Sequence, residues 1–215
     1  MRGIFVTGTD TDVGKTWVCA ALLAGAPAAW RYWKPVQTGL ADAVGDTATV
    51  RRRARLTPEQ APDVGTRLDV AASPHHAARL AGRRITVASI LSAAPVAGAP
   101  GPFWVVEGAG GLLVPLNDRE TMLDLIRALR LPVVVVVRVR LGAINHALLT
   151  ERTLRRARVP ALGHLLSGEE DPALTSALRA HGHLPVLGRL PELAASAPLQ
   201  PLGEALRAAV AERLP

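Results

Sequence analysis

The sequence contains little of several residue types, and each shortage excludes a class of protein. A single cysteine, Cys19, excludes an intramolecular disulfide. The longest apolar stretch, residues 131–137, contains a proline and is far shorter than the roughly 20 residues that cross a bilayer, so we expect no membrane span. The first residues lack the apolar run of a signal peptide. We therefore expect a cytoplasmic protein.

Lysine is scarce as well. Lys15 and Lys34 are the only lysines, and the other 23 of the 25 basic residues are arginines. Because an ammonium is a compact point charge and a guanidinium is a wide planar fork, we expect both lysines to lie where a fork does not fit. The arginines are scattered, except at 51–55 and 155–156, which we interpret as solvated helix faces. The net charge of +7 therefore does not predict nucleic-acid binding.

The order of hydrophobic patterns predicts an α/β fold. Short β-branched or aromatic runs alternate with helical patterns, which is typical of βαβ units. The predicted strands are 4–6, 30–33, 103–106, 133–137 and 161–166, and the predicted helices are 15–23, 46–56, 77–81, 86–91, 121–129, 144–156, 172–180 and 202–213. We expect one domain over 1–215, of the P-loop NTPase type, with a mostly parallel sheet covered by helices on both faces.

Two further features concern the surface. The segments 94–102 and 190–201 are rich in proline and glycine, and we predict that both are surface connections. The last predicted helix carries an apolar stripe opposite Glu and Arg. Such a stripe is found on membrane-surface helices, but its mixed charges favour a helix that docks on the protein's own core.

A phosphate-binding loop is predicted between the first strand and the first helix. Residues 8–16 read Gly-Thr-Asp-Thr-Asp-Val-Gly-Lys-Thr, in the strand-to-helix context that such a loop requires. Glycines let consecutive N–H groups face the phosphates, and the helix N-terminus adds partial positive charge. We expect Lys15 to bridge phosphate oxygens and Thr16 to offer its hydroxyl to Mg²⁺. The loop has five residues between its glycines, one more than the usual pattern.

Two carboxylates are candidates for the same site. Glu107 ends a buried strand, where open α/β sheets bind ligands, and is therefore a candidate Mg²⁺ ligand. The small residues 108–111 that follow it permit close approach of backbone to phosphate, although a flexible turn is the alternative. Asp46 begins a predicted helix. From the residues alone, a role as helix N-cap is the better interpretation of Asp46.

Read in order, five short segments and the extended loop resemble the dethiobiotin synthetase family over most of the chain. The segments are Trp-Lys-Pro-Val-Gln-Thr-Gly at 33–39, Ser-Pro-His at 73–75, Val-Glu-Gly-Ala-Gly-Gly at 106–111, Leu-Gly-Ala-Ile-Asn-His at 141–146 and Leu-Gly-Arg-Leu-Pro at 187–191. The resemblance implies a reaction of biotin synthesis in which 7,8-diaminopelargonate, CO₂ and ATP give dethiobiotin, ADP and phosphate. A carbamate forms on the substrate, takes the γ-phosphoryl group, and is closed into a cyclic urea by the second amine.

The resemblance also implies roles for individual residues. Lys34 lies beside the carbamate and the γ-phosphate, and Thr11 and Thr38 hydrogen-bond the substrate near its reacting end. Mg²⁺ is held by Thr16, Asp46 and Glu107. The implied nucleotide contacts are Asp12, Val13, Gly14, Lys15, Thr16, Trp17, Asp46, Glu107, Gly108, Ala109, Gly110, Ser167, Pro191 and Leu193. The implied partner is a second copy of the chain, across whose interface the substrate's far carboxylate is received by Leu141, Gly142, Ala143 and Asn145.

The sequence departs from the family at two positions that concern the nucleotide. Asp12 stands where many relatives carry glutamate, so any contact it makes is displaced by one methylene. Ser167 and Gly168 stand where well-known members place Asn-Asp to recognise adenine. Because discrimination between bases relies on polar groups that the wrong base leaves unpaired, we hypothesise a relaxed choice of nucleoside triphosphate.

Two alternatives share the loop. One is a dimeric nucleotide-switch ATPase of the partitioning type, whose loops carry an additional lysine near their start, where this chain has Thr9 to Asp12. The other is an amide-forming or phosphotransferase relative, against which the motifs at Lys34 and Asn145 argue. The remaining histidine motifs are interpreted as structural: His146 as a packed or solvated residue and the His75–His76 pair as no zinc site, since further ligands are missing nearby.

Overall fold

A computed structural model describes residues 1–41, 44–95, 101–192, 194 and 197–214. Within these ranges the strands are β1 (Arg2–Gly8), β2 (Trp30–Trp33), β3 (Val36–Gln37), β4 (Thr66–Arg67), β5 (Phe103–Glu107), β6 (Val133–Arg138), β7 (Ala161–Ser167) and β8 (Val186–Leu190). The helices are α1 (Lys15–Leu23), α2 (Asp46–Ala54), α3 (Pro74–Leu80), α4 (Val87–Ser92), α5 (Met122–Leu129), α6 (Ala143–Arg156), α7 (Pro172–His181) and α8 (Gln200–Ala211).

Six of the strands form one parallel sheet in the order β2-β5-β1-β6-β7-β8, and β3 pairs with β4 beside it. Helices cover both faces of the sheet and form a core on each. Successive residues of each central strand therefore enter different cores. Phe5 packs in one core, while its neighbours Ile4 and Val6 pack in the other. This arrangement explains the uninterrupted apolar runs of β5 and β6. The predicted fold class, P-loop α/β with a mostly parallel sheet, is confirmed.

Capping side chains mark the N-termini of three of the described helices. Thr86 and Thr121 each form a capping box, with Ser89 and Asp124 respectively, and so begin α4 and α5. Asp171 accepts a hydrogen bond from the Leu174 N–H and begins α7. These side chains satisfy N–H groups that the first turn of a helix leaves unpaired.

The C-terminal helix docks on the protein, as its stripe predicted. Leu206 and Val210 of α8 lie in the same core as α1. At Gly203 an added Cβ would lie only 2.0 Å from the Ala21 carbonyl oxygen, so the contact between the two helices requires glycine. Arg207 then donates to the carbonyl of Leu22 at 2.9 Å.

Several predicted bounds were wrong. The helix predicted over 46–56 ends at Ala54, because Arg55 turns into the left-handed conformation at φ 55°. The segment 190–201 is not wholly a surface connection: β8, which was not predicted, ends at buried Leu190, Leu199 is also buried, and α8 already begins at Gln200. The other predicted connection, 94–102, includes residues 96–100, which lie outside the described ranges.

The arginine cluster at 51–55 was also interpreted wrongly in part. Arg51 donates to the Ala61 carbonyl at 2.6 Å, and Arg53 stacks over Trp17 with 4.7 Å between guanidinium carbon and ring centroid. Only Arg52 and Arg55 of that cluster are exposed. Arg155 and Arg156 are exposed, as predicted.

The candidate site residues lie at one edge of the sheet. All six strands of the main sheet are parallel, so their carboxyl ends meet there. The phosphate-binding loop follows β1, Lys34 follows β2, Glu107 ends β5 and Ser167 ends β7. Among the described residues, no helix is both long and apolar enough to cross a membrane.

Candidate active site

The loop at 8–16 has the geometry of a phosphate cradle. Gly14 adopts a left-handed conformation at φ 96° and caps α1, a conformation that glycine adopts without strain. The Lys15 ammonium folds back across the loop and donates to the Asp10 carbonyl at 2.8 Å. Lys15 is nearly buried, and this burial, with the nearby charge of Lys34, lowers its pKa to about 8. The loop thus holds a desolvated ammonium at the N-terminus of α1.

Lys34 lies at the centre of the site and has three hydrogen-bond acceptors. Its Nζ is 2.8 Å from Glu107 Oε1, 2.7 Å from Asp46 Oδ2 and 2.9 Å from the Gly108 carbonyl oxygen. The three acceptors account for the three protons of an ammonium. Burial alone would lower the pKa of Lys34, but the two carboxylates outweigh it and raise the pKa above its ordinary value. Lys34 is therefore a fixed positive charge.

Glu107 is buried and accepts hydrogen bonds on both oxygens. Its Oε1 accepts from Lys34 and from the Thr16 hydroxyl, the latter at 2.8 Å. Its Oε2 accepts from the Tyr32 hydroxyl, also at 2.8 Å. Burial and the adjacent carboxylate raise the pKa of Tyr32 well above its ordinary value, so the phenol remains a donor. Glu107 thereby joins β5, β2 and the phosphate-binding loop.

Asp46 does not cap its helix, which corrects the interpretation from the residues alone. The N-cap is Gly45, and Asp46 is the first residue of α2, with its carboxylate turned to Lys34. Burial would raise the pKa of Asp46, but the charge and hydrogen bond of Lys34 lower it below its ordinary value. The carboxylate is therefore ionised at neutral pH.

Thr16, Asp46 and Glu107 form an oxygen donor set. Two carboxylates and a hydroxyl suit a hard divalent cation such as Mg²⁺, which binds through one or two carboxylates and completes its shell with phosphates and water. The Lys34 ammonium lies between the two carboxylates and contacts both, so the pair already holds one positive charge. The donor set therefore fits Mg²⁺.

These residues open into a cavity of about 820 Å³. Most of the predicted site residues line it: Thr11, Asp12, Gly14, Lys15, Thr16, Trp17, Lys34, Thr38, Asp46, Glu107, Ala109 and Gly110. Of the others, Val13 is buried beneath the loop, and Gly108 contributes its carbonyl to Lys34. Ser167 abuts Gly14, where an added Cβ would lie 2.4 Å from the Ser167 Oγ. Pro191 follows β8 at the same edge, and Leu193 lies outside the described residues.

Known proteins are similar to this chain over most of its length. A family model described as an AAA domain matches residues 2–200. The ATP-dependent dethiobiotin synthetase of Paramagnetospirillum magneticum is 44% identical over 199 residues, which cover 91% of this chain and 90% of that protein. The chain belongs to the dethiobiotin synthetase family. As a member of this family, it is an enzyme of the ligase class.

The same unit occurs inside a longer relative of the family. The biotin biosynthesis bifunctional protein BioCD of Bordetella avium is 45% identical over 197 residues, which are 89% of this chain but only 40% of that protein. Among solved structures, a ParA family ATPase from Chlorobium tepidum has a TM-score of 0.57 at 10% identity, covering 98% of this chain and 96% of its own. That similarity concerns the fold alone. Because the similarity in sequence is to dethiobiotin synthetases, the switch ATPase is not favoured.

The segment that dethiobiotin synthetases are expected to offer to the substrate's far carboxylate does not line the cavity of the single chain. Leu141 is fully exposed, Asn145 is exposed, and Gly142 caps α6 in a left-handed conformation at φ 89°. Ala143 is buried against the core. Within one copy of the chain, the structure thus separates this segment from Lys34 and the phosphate-binding loop.

Three contributors to the site of this dethiobiotin synthetase family member were not predicted. Tyr32 was assigned to a strand without a role, although its position two residues before Lys34 on an alternating strand was a usable signal. Arg138 lines the cavity and pairs with Glu192 at 2.9 Å. Arg140 pairs with Asp10 of the phosphate-binding loop at 2.9 Å. Nothing local in the sequence predicts either ion pair, because the partners are distant along the chain.

Proposed function

We propose that the chain is an ATP-dependent dethiobiotin synthetase. In this reaction, one amine of 7,8-diaminopelargonate and CO₂ form a carbamate, whose oxygen attacks the γ-phosphorus of ATP and releases ADP. The second amine then attacks the carbonyl carbon of the resulting mixed anhydride, releases phosphate and closes the cyclic urea of dethiobiotin. A cytoplasmic location, where ATP is available, fits this chemistry.

The observation that carries the proposal is the convergence of two ammonium groups on one cavity. A carbamate oxygen and a γ-phosphate are both anionic, and they repel each other unless cations lie between them. Lys15 and Lys34 supply those charges, and both are held by the fold rather than by solvent. Positioning and charge neutralisation are what this reaction demands of a protein.

Each ammonium has to exchange a contact in order to act. Lys15 is free to leave the Asp10 carbonyl, 2.8 Å away, for phosphate oxygens. Lys34 holds Glu107 and Asp46, and it reaches a carbamate or γ-phosphate oxygen by releasing one of these carboxylates. Thr11 and Thr38 line the same cavity and are the proposed hydrogen-bond partners of the substrate's reacting end.

Mg²⁺ belongs to the proposal through Thr16, Asp46 and Glu107. When bound, it would offset phosphate charge and orient the triphosphate for in-line transfer. The protein's own part is to hold both carboxylates against Lys34 and the Thr16 hydroxyl against Glu107. The hydrogen bond of 2.8 Å between Thr16 and Glu107 supports that role.

We further propose that a homodimer completes the substrate site. The segment 141–145 begins α6, whose N-terminus suits a carboxylate, yet in one chain it lies outside the cavity. Exposed apolar side chains at Leu141, Ile144 and Leu149, in and beside this segment, support a protein interface there. A second copy would bring the two parts together.

The deciding experiment measures phosphate release by the purified protein. Release should depend jointly on diaminopelargonate, bicarbonate and Mg-ATP, and ¹³C from labelled bicarbonate should appear in dethiobiotin by mass spectrometry. Omission of each component in turn is the control. Phosphate release that continues without the diamine would favour a nucleotide-switch ATPase instead.

A further inference from the structure

The two oxygens of Glu107 face different surroundings. Oε1 points to Lys34 and Thr16, on the side of the candidate metal and phosphate site. Oε2 points to Tyr32, whose hydroxyl is 2.8 Å away. Glu107 is 1% exposed and Tyr32 is 0% exposed, so water does not replace this donor.

The fold holds the Tyr32 hydroxyl in place. Tyr32 lies on β2 and is paired in parallel register with Val105 of β5, two residues before Glu107. Its ring packs in the core beneath α1, and the next residue, Trp33, enters the opposite core. The hydroxyl is therefore carried by a strand that is packed on both faces. A buried carboxylate oxygen that lost this donor would bear the full cost of desolvation.

We propose that Tyr32 is a positioning residue that reserves Oε2 and makes Glu107 a one-oxygen ligand, so that the site favours Mg²⁺ over Ca²⁺. Mg²⁺ is small, demands octahedral geometry and accepts carboxylates through one oxygen. Ca²⁺ takes six to eight oxygens and often binds both oxygens of a carboxylate. Because the buried Tyr32 phenol occupies Oε2, Glu107 can bind a cation through one oxygen, as Mg²⁺ does. It cannot bind through both oxygens, as Ca²⁺ often does. The inference rests on the proposed Mg-nucleotide site.

The test compares the metal dependence of nucleotide binding in the wild-type protein and in Tyr32→Phe. A non-hydrolysable ATP analogue is titrated calorimetrically at a series of Mg²⁺ and of Ca²⁺ concentrations. Removing a hydrogen bond that orients a metal ligand typically costs 10- to 100-fold in metal affinity, so the half-saturating Mg²⁺ concentration should rise by about tenfold or more. The Ca²⁺ requirement should change less, because the freed oxygen allows two-oxygen binding. The preference for Mg²⁺ over Ca²⁺ should therefore fall.

Trp33→Phe is the matched control. Trp33 is the next residue of the same strand, and its ring N–H donates to the Val64 carbonyl at 3.0 Å on the opposite face of the sheet. This variant also loses a hydrogen bond from a buried aromatic residue but leaves Glu107 untouched. It should keep the wild-type ratio of Mg²⁺ to Ca²⁺ requirements.

A second measurement needs no substitution. Tyr32 is the only tyrosine of the chain, so labelling with 3-fluorotyrosine yields a single protein ¹⁹F resonance. Adding Mg²⁺ with the nucleotide analogue should shift that resonance, since the other oxygen of the same carboxylate changes its partner. A purely structural tyrosine in a closed core would not respond.

The outcomes are distinct. An unchanged Mg²⁺ to Ca²⁺ ratio in Tyr32→Phe, or a ¹⁹F resonance indifferent to the metal, would overturn the positioning role while leaving the proposed enzyme intact. If the wild-type protein failed to bind the nucleotide analogue in the presence of Mg²⁺ and also in the presence of Ca²⁺, the proposed function would fail, and the positioning role with it. A fallen ratio with Trp33→Phe unchanged would support the inference.

Discussion

At the scale of single residues, Lys34 combines two tasks. In the structure it neutralises Asp46 and Glu107, and in the proposed reaction it neutralises the carbamate and the γ-phosphate. The first task concerns the stability of the ligand-free protein, and the second concerns the transition state. Rate and thermal stability report the two tasks separately.

We expect Lys34→Ala to slow phosphate release by about two to three orders of magnitude, which is typical for the loss of one transition-state donor. The folded state should survive but lose thermal stability, because buried Glu107 and partly exposed Asp46 are left without their cation. Mg²⁺ should restore part of that stability in a melting assay. Lys34→Arg, which keeps the charge in a wider shape, is the control for geometry and should also be slow. A near-normal rate in Lys34→Ala would remove Lys34 from the mechanism.

The base of the nucleotide concerns another residue. Ser167 offers one short hydroxyl with a single donor, whereas an amide has two donors and a separate acceptor oxygen, and it abuts Gly14 of the loop. We therefore expect CTP and GTP to support turnover with kcat/KM within about 100-fold of ATP, rather than the 10⁴-fold rejection typical of a hydrogen-bonded pocket. Competition of each triphosphate against ATP in the phosphate-release assay measures this. Strict preference for ATP would end the hypothesis.

At the scale of elements, Glu151 fastens α6 to the turn before β8. Its carboxylate accepts from the backbone N–H of His183 at 2.6 Å and of Leu184 at 3.3 Å, and it lies 3.4 Å from His164 on β7. Glu151 is only 4% exposed. One carboxylate thus joins α6 to β7 and to the turn before β8.

Removal of this carboxylate should destabilise the fold without affecting catalysis. We expect Glu151→Ala to lower the free energy of unfolding by about 2 to 4 kcal/mol, because buried N–H groups lose their acceptor. Urea denaturation measures the change, and kcat per folded molecule should stay normal. Glu212→Ala, at the exposed end of α8, is the control and should change stability by about 0.5 kcal/mol or less. Equal stability of the two variants would contradict this role.

His164 makes the same region sensitive to acid. Burial lowers the pKa of His164 below its ordinary value of 6.5, and Glu151 offsets only part of this effect. As the pH falls through 6.5, the unfolded chain therefore binds a proton that the folded chain resists, and stability decreases. Above that pH both states are neutral at this residue, and the effect vanishes.

We expect His164→Leu to reduce the loss of stability between pH 7 and pH 5, by up to about 1.4 kcal/mol per pH unit. Urea denaturation across this pH range measures the slope. His181→Leu, which replaces an exposed histidine at the end of α7, is the control and should leave the slope unchanged. If both variants kept the wild-type slope, His164 would not be the acid-sensitive group.

At the scale of the whole molecule, the proposed dimer links assembly to substrate binding. Leu141 is fully exposed, and it begins the segment proposed to receive the substrate's far carboxylate in the partner's site. Loss of the dimer should therefore also weaken affinity for the diamine. Nucleotide binding should persist, because one chain lines the cavity.

We expect Leu141→Asp to shift the protein toward monomer in sedimentation velocity and to raise the KM for diaminopelargonate by about tenfold, for the loss of roughly 1.4 kcal/mol of binding. The KM for ATP should change little. Leu80→Asp replaces an exposed leucine on α3 and is the control. A wild-type protein that sediments as a monomer would refute the dimer.

Particular elements show how far the sequence could be interpreted. The strands β5 and β6 and the helices α1, α5 and α7 were predicted to within one or two residues, because apolar period and capping residues are local signals. The strand β8 was missed because it is only partly buried and Gly188 interrupts it. The two-residue strands β3 and β4 have no pattern of their own and exist only through their mutual pairing.

The sequence by itself determined the phosphate-binding loop, the α/β class and the choice of both lysines as site residues, since these depend on motifs of residues adjacent along the chain. Only the tertiary structure decided that Lys34 meets Glu107, 73 residues away, that Asp46 faces Lys34 instead of capping α2, and that Tyr32 holds the far oxygen of Glu107. The physical reason is strand order. Backbone preferences are set by neighbours in the chain, whereas contacts between side chains at the edge of a sheet depend on which strands pair.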